Sequence, residues 1–179
     1  MSKATKIIPM DQKNKRINLA VSIVAAIFLV ILYFVIFSFS EQDGETSGAV
    51  SHEVSKWVVE EWEQITHPSW TEEIKKSLIE YWEHPIRKLA HFSEYTLMGI
   101  LVFLIWKAWI KKPWVRNLLV IGWVFVSASL DEWHQTFVGG RCGSFLDVLL
   151  DTSGGCFGLL LCLLCTKIAL GIRRKKGAV

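Results

Sequence analysis

Residues 17–39 form an apolar run of 23 residues with no charge, long enough for a helix to cross a hydrocarbon core of about 30 Å. Three further stretches, about 88–110, 118–137 and 145–170, have the length to cross but admit polar side chains, mainly at one end. Between the first and second spans, residues 41–86 are polar yet keep a helical rhythm. The pattern predicts an all-α fold: a polytopic membrane protein built as a four-helix transmembrane bundle with an outer helical insertion, flanked by basic segments at 1–16 and 171–179. The first run ends in Phe37-Ser38-Phe39-Ser40-Glu41 and lacks the small-residue site of a cleaved signal, so it is expected to be retained.

Within the insertion, Val50, Val54, Trp57, Val58, Trp62 and Ile65 recur at helical spacing opposite Glu53, Lys56, Glu60 and Glu63. That stripe predicts an amphipathic helix over 49–65 that can lie on the membrane. Ser69-Trp70-Thr71-Glu72 resembles an N-terminal capping box, and Ile74, Leu78, Tyr81 and Trp82 then share a face until His84-Pro85, where the helix is expected to stop. The two helices together would lid the outer surface or pack on the span ends. His52, His67 and His84 match no dense ligand spacing and are expected at the surface or boundary.

Charge sets the expected orientation. Lys3, Lys6, Lys13, Lys15 and Arg16, the 107–116 connection, and Arg173-Arg174-Lys175-Lys176 all fall on one side of a four-span chain, which makes both termini cytoplasmic by positive-inside bias. Trp106, Trp109 and Trp114 flank the inner loop and Trp82 and Trp133 the outer surface, as interfacial anchors do. The insertion has eleven acidic residues against Lys56, Lys75 and Lys76, so the outer face is strongly negative. Membrane lipid is the expected partner, and no nucleic acid is. Of the four cysteines, Cys156, Cys162 and Cys165 lie in the last span and Cys142 outside it, so no intramolecular disulfide framework is expected.

Ionisable residues inside spanning helices are costly and face a bundle interior or a wet cavity. At 100° per residue, Arg87, His91, Glu94 and Met98 form one stripe of the second span, with Lys88 and Tyr95 beside it. Ser127, Asp131 and His134 or Gln135 share a side of the third, with Glu132 about a quarter turn away. Asp147, Asp151, Gly154 and Gly158 line the fourth, where the glycines permit close helix approach. All three polar ends lie at the outer side, and the glycine-rich 138–144 turn carries Arg141 and Ser144 over them. A buried ion network that locks the helices together is the competing structural reading.

Arg87-Lys88-Leu89-Ala90-His91-Phe92-Ser93-Glu94-Tyr95, then Asp131-Glu132-Trp133-His134-Gln135-Thr136-Phe137, then Gly140-Arg141 with Asp147 and Gly154-Gly155, resemble in order the VanZ-like family of bacterial membrane proteins. The resemblance implies a multi-pass protein of the bacterial cell membrane linked to reduced susceptibility to teicoplanin, with no set biochemical activity. Two positions depart from the family pattern: Gly139 stands where Pro is frequent, and Asp151 where Asn is frequent.

Three function classes follow. In the first, the site acts on an envelope lipid or cell-wall precursor. Arg87 and Arg141 hold an anionic head group, His91 or His134 serves as general base, and Glu94, Asp131 or Glu132 orients it. Lys88, Tyr95, Gln135, Ser144, Asp147 and Asp151 complete the ligand contacts. In the second, the same cavity binds or sequesters an amphiphilic antibiotic, such as a glycopeptide, or an envelope lipid without chemistry. The third, proton-coupled transport, lacks polar residues in the inner halves of the spans apart from Lys107 and Lys167. A metal-assisted variant would draw on His91, His134 and the carboxylates, but no dense motif such as H-E-x-x-H is present. No metal ligand or cofactor is therefore assigned, and the oligomeric state stays open.

Overall fold

Four helices are long and apolar enough to cross a membrane, and a fifth packs beside the extended end of one of them. The computed structural model describes residues 10–41, 44–66, 69–140 and 142–176. In chain order they form α1 (Met10–Ser40), α2 (Gly44–Thr66), α3 (Glu72–Trp109), α4 (Pro113–Gln135) and α5 (Phe145–Lys176). The chain is an all-α, four-helix membrane bundle, α1, α3, α4 and α5, with α2 as the helical insertion. Large apolar side chains such as Phe34, Leu118, Phe145 and Leu146 point outward, where acyl chains rather than water solvate them.

α3 is the central element and packs most extensively on α5. Their approach rests on missing side chains: a Cβ at Gly154 would overlap the carbonyl of Phe92, and one at Gly158 the carbonyl of Thr96. Thr96 Oγ1 uses the closeness to donate to Gly154 O at 3.0 Å as well as to Phe92 O at 2.7 Å. Gly155 packs under Val124 of α4 and Gly99 against Gly155 itself, so one glycine patch joins three helices. Around it Tyr95, Met98, Val102, Phe103, Val124 and Ala128 form the fully buried core.

α1 adds polar links. Tyr33 Oη and Ser127 Oγ share a hydrogen bond of 2.6 Å, and Trp123 Nε1 donates to Tyr33 Oη at 2.9 Å, joining α1 to α4. Tyr33→Phe deletes both, at an expected cost of about 1 kcal/mol, since interhelical hydrogen bonds in membranes contribute roughly that or less. Thermal unfolding in detergent checks this, and an unchanged midpoint would show the two bonds to be idle.

Two local expectations change. The N-cap of α3 is Thr71, whose Oγ1 accepts from Ile74 N at 3.4 Å, rather than Ser69. With Ile at the third position no reciprocal carboxylate is available, so no capping box forms. α3 also runs straight through Pro85. A proline removes one backbone donor, but the antiparallel α2 splints the helix on both sides: Lys75 pairs with Glu63 at 2.9 Å before the proline, and Arg87 donates to Ser51 Oγ at 3.3 Å after it. At 38 residues the helix is about 57 Å long, so its first turns project well beyond the hydrocarbon. α2 turns its small Ser51 and Ser55, with Val59, inward, leaving Val50, Val54, Trp57, Trp62 and Ile65 exposed.

Candidate functional site

Three helix ends and one turn enclose a polar cavity of about 180 Å³. α3 supplies His84, Arg87, Lys88 and His91; α4 supplies Glu132 and Gln135; the turn supplies Gly140 and Cys142; α5 supplies Asp147, Leu150 and Asp151. The continuity of α3 through Pro85 puts His84 on the same stripe as Arg87 and His91. Lys88 Nζ forms a close ion pair with Asp147, tying α3 to α5 across the cavity mouth. Arg87 is held by Glu83 at 3.1 Å and Ser51 at 3.3 Å, while its Nε has no hydrogen-bond partner among the described residues.

The turn folds back because Glu132 receives it. Glu132 is 6% exposed, and its Oε2 accepts the Ser144 amide at 2.8 Å. Gly143 lies so close to the Glu132 backbone that a side chain there would collide with it, and Gly140 adopts φ 74°, the left-handed region that favours glycine. Ser144 thus contributes through its backbone. Arg141 lies outside the described residues.

Deeper in the bundle Asp131 and Asp151 converge with no lysine or arginine paired to them among the described residues. Asp151 is 1% exposed and neither of its carboxylate oxygens has a hydrogen-bond partner among the described residues. Asp131, 9% exposed, accepts from Gln135 Nε2 at 3.3 Å. One donor atom each from His91, Asp131 and Asp151 lie within 4.8 Å of one another. Two ionised carboxylates at that separation repel by about 3 kcal/mol at an effective dielectric near 20, so a positive charge or a shared proton must offset them. Glu94 stands beside the group, its Oε2 4.0 Å from His91 Nδ1. Buried Tyr95 carries its hydroxyl into the same bundle interior with no described partner.

Of the sequence-predicted site residues, Glu94, Tyr95, Asp131 and His134 line grooves other than the polar cavity. Glu94 lines an apolar groove of about 600 Å³ between α1 and α3, with Phe28, Ile31 and Leu97. His134 lies in a second groove, of about 470 Å³, with Tyr33, Phe37, Tyr95 and Asp131, and its ring packs on Phe37 at 4.9 Å between centroids. Asp131 therefore borders the apolar groove on one side and the His91–Asp151 group on the other. His84 and Cys142 were not among the predicted site residues. Helical spacing alone, His84 to Arg87 or Lys88 to His91, would have found the first had the helix not been ended at Pro85.

A small polytopic protein whose charged helix ends close over a membrane-level cavity is the class defined by this fold and site. The chain matches the VanZ/LLP1 family over residues 25–166 and belongs to that family. No curated protein and no solved structure matches it significantly.

Proposed function

We propose that this VanZ/LLP1-family protein acts at the outer leaflet on an amphiphilic envelope substrate, a phosphate-bearing lipid or lipid-linked cell-wall precursor. One observation carries the reading: the polar cavity, lined by Asp151, and an apolar groove, lined by Asp131, lie on either side of these two acids, whose donor atoms approach within 4.8 Å. A molecule with a charged head and an acyl tail fills both at once. Arg87 and Arg141 hold the head group, with Lys88, Gln135, Ser144 and Asp147 at its rim. His91 serves as base, Glu94 and Glu132 orient the polar shell, and His134 and Tyr95 border the tail. By this step the protein contributes to reduced susceptibility to teicoplanin-type glycopeptides.

The test is mass spectrometry of purified protein incubated with envelope lipids. A lipid changed in mass identifies an enzyme. A lipid, or teicoplanin, that copurifies unchanged and is lost in Arg87→Gln identifies the binding alternative, and absence of any retained amphiphile overturns both.

The orientation belongs to the same proposal. With both termini cytoplasmic, the exposed Cys142 is expected to react with an impermeant maleimide added to intact cells. Labelling only after permeabilisation would reverse the topology and move the cavity to the inner leaflet. In the expected orientation, the outward stripe of α2, Trp57 and Ile65 included, rests on the outer head groups.

A further inference from the structure

We propose that His91, Asp131 and Asp151 bind one divalent transition-metal ion, held between α3, α4 and α5. The argument begins with Asp151. Its carboxylate is almost fully buried inside a membrane bundle, and neither oxygen has a hydrogen-bond partner among the described residues. A buried carboxyl is retained when it is protonated, paired, hydrogen-bonded or coordinated to a metal. Among the described residues no lysine or arginine pairs with it: Lys88 is committed to Asp147, and Arg87 to Glu83.

What does face Asp151 is a ligand set. His91 and Asp131 each bring one donor atom to within 4.8 Å of it and of each other. Ligands about 2.0–2.2 Å from a shared Zn²⁺ lie about 3.3 Å apart in a tetrahedral site, so side-chain adjustments of about 1 Å close this group on an ion. One imidazole and two carboxylates make a borderline-to-hard donor set, suited to Zn²⁺ or Mn²⁺ and poor for the softer ions that prefer sulfur. The two negative charges repel each other without a cation and attract one strongly.

The surroundings have the features of a supported metal site. Gln135 donates to Asp131 Oδ2 and fixes that carboxylate, and Glu94 Oε2 lies 4.0 Å from His91 Nδ1. His91 and Asp151 both line the polar cavity, so at least one coordination position faces it and is open to water or a ligand oxygen. The proposal requires no particular lipid, but a His91 that coordinates the ion cannot also be the base proposed above: failure of metal binding leaves that role standing, and metal binding removes it.

The full chain, with any affinity tag removed, would be stripped with chelator in detergent, desalted, and titrated with Zn²⁺ or Mn²⁺. Bound metal is read by elemental mass spectrometry and stability by thermal unfolding. The wild type is expected to retain about one equivalent of at least one ion, as a single three-ligand site would, and to melt several degrees higher when loaded. Asp151→Asn and His91→Gln are expected to lose the retained metal and the thermal response together. Gln135→Leu, which removes only the support of Asp131, should weaken affinity by about ten-fold. Each variant is compared with the stripped wild type, so its folding is judged without metal, and one folded ligand variant suffices. Failure of the wild type to bind either ion, or equal binding by the wild type and the ligand variants, overturns the proposal.

Discussion

Gly158→Leu is expected to leave little folded protein, and Gly154→Leu the same. Overpacking a core typically costs about 1–3 kcal/mol where side chains can yield. Here the atoms in the way are the Thr96 and Phe92 carbonyls of α3, which cannot rotate aside. The helices must separate, the Thr96 to Gly154 hydrogen bond is lost, and the cost moves to about 3 kcal/mol or more, a large share of a total stability of about 5–15 kcal/mol. Gly122 is the control, because a Cβ there meets nothing within 4 Å. Monodisperse yield and melting temperature in detergent are the measurements. Equal behaviour of Gly158→Leu and Gly122→Leu would refute the close α3–α5 approach on which the cavity depends.

That approach marks the limit of what could be read from residue order. The four spans were legible because apolar length against bilayer thickness is a direct physical constraint, and Ile17 with the charge-free run after it leaves little choice. The phases of Arg87–His91–Glu94 and Asp147–Asp151 were legible for a similar reason: helical periodicity alone puts each set on one side. Which of these stripes share a cavity depends on how closely and at what rotation the helices meet, and Gly99, Gly154, Gly155 and Gly158 set that through backbone contacts absent from any one-helix pattern. Glu94 and His134 accordingly border apolar grooves, while Arg87, Lys88, His91, Glu132, Gln135, Asp147 and Asp151 surround the polar one.

One misreading traces to a rule made for water-soluble chains. Pro85 reads as a helix stop, yet contacts with α2 on both sides of it sustain α3 and bring His84 to the cavity. The apolar stripe of α2 was legible as a face that can lie on the membrane. Here the inward face is Ser51, Ser55 and Val59, which permit close packing on α3, and Trp57 and Ile65 face out. The role of Ser144 was hidden differently, since its backbone amide rather than its hydroxyl holds Glu132. The three-residue ligand group left no dense motif because each ligand comes from a different helix.

Glu94→Gln is expected to separate function from architecture. In a structural ion network, removing one charge strands its partner and costs about 3–5 kcal/mol. Glu94 has no such cation among the described residues: its nearest basic group is His91 at 4.0 Å, and the close Lys88–Asp147 and Arg87–Glu83 pairs do not involve it. The isosteric amide removes a poorly compensated carboxylate from the bundle, so the melting temperature should hold or rise. The lipid retained or converted in the mass-spectrometric assay should nevertheless fall by at least about ten-fold, the equivalent of about 1.4 kcal/mol of lost interaction, because His91 loses the carboxylate beside it. Glu63→Gln, which weakens the Lys75 pairing between α2 and α3 away from the cavity, should show the converse: a modest loss of stability at most, since such an accessible pair contributes little, with the lipid reaction largely kept. A stable Glu94→Gln with undiminished lipid handling would remove Glu94 from the site. A destabilised one whose losses of abundance and activity run in parallel would return these acids to a purely architectural role.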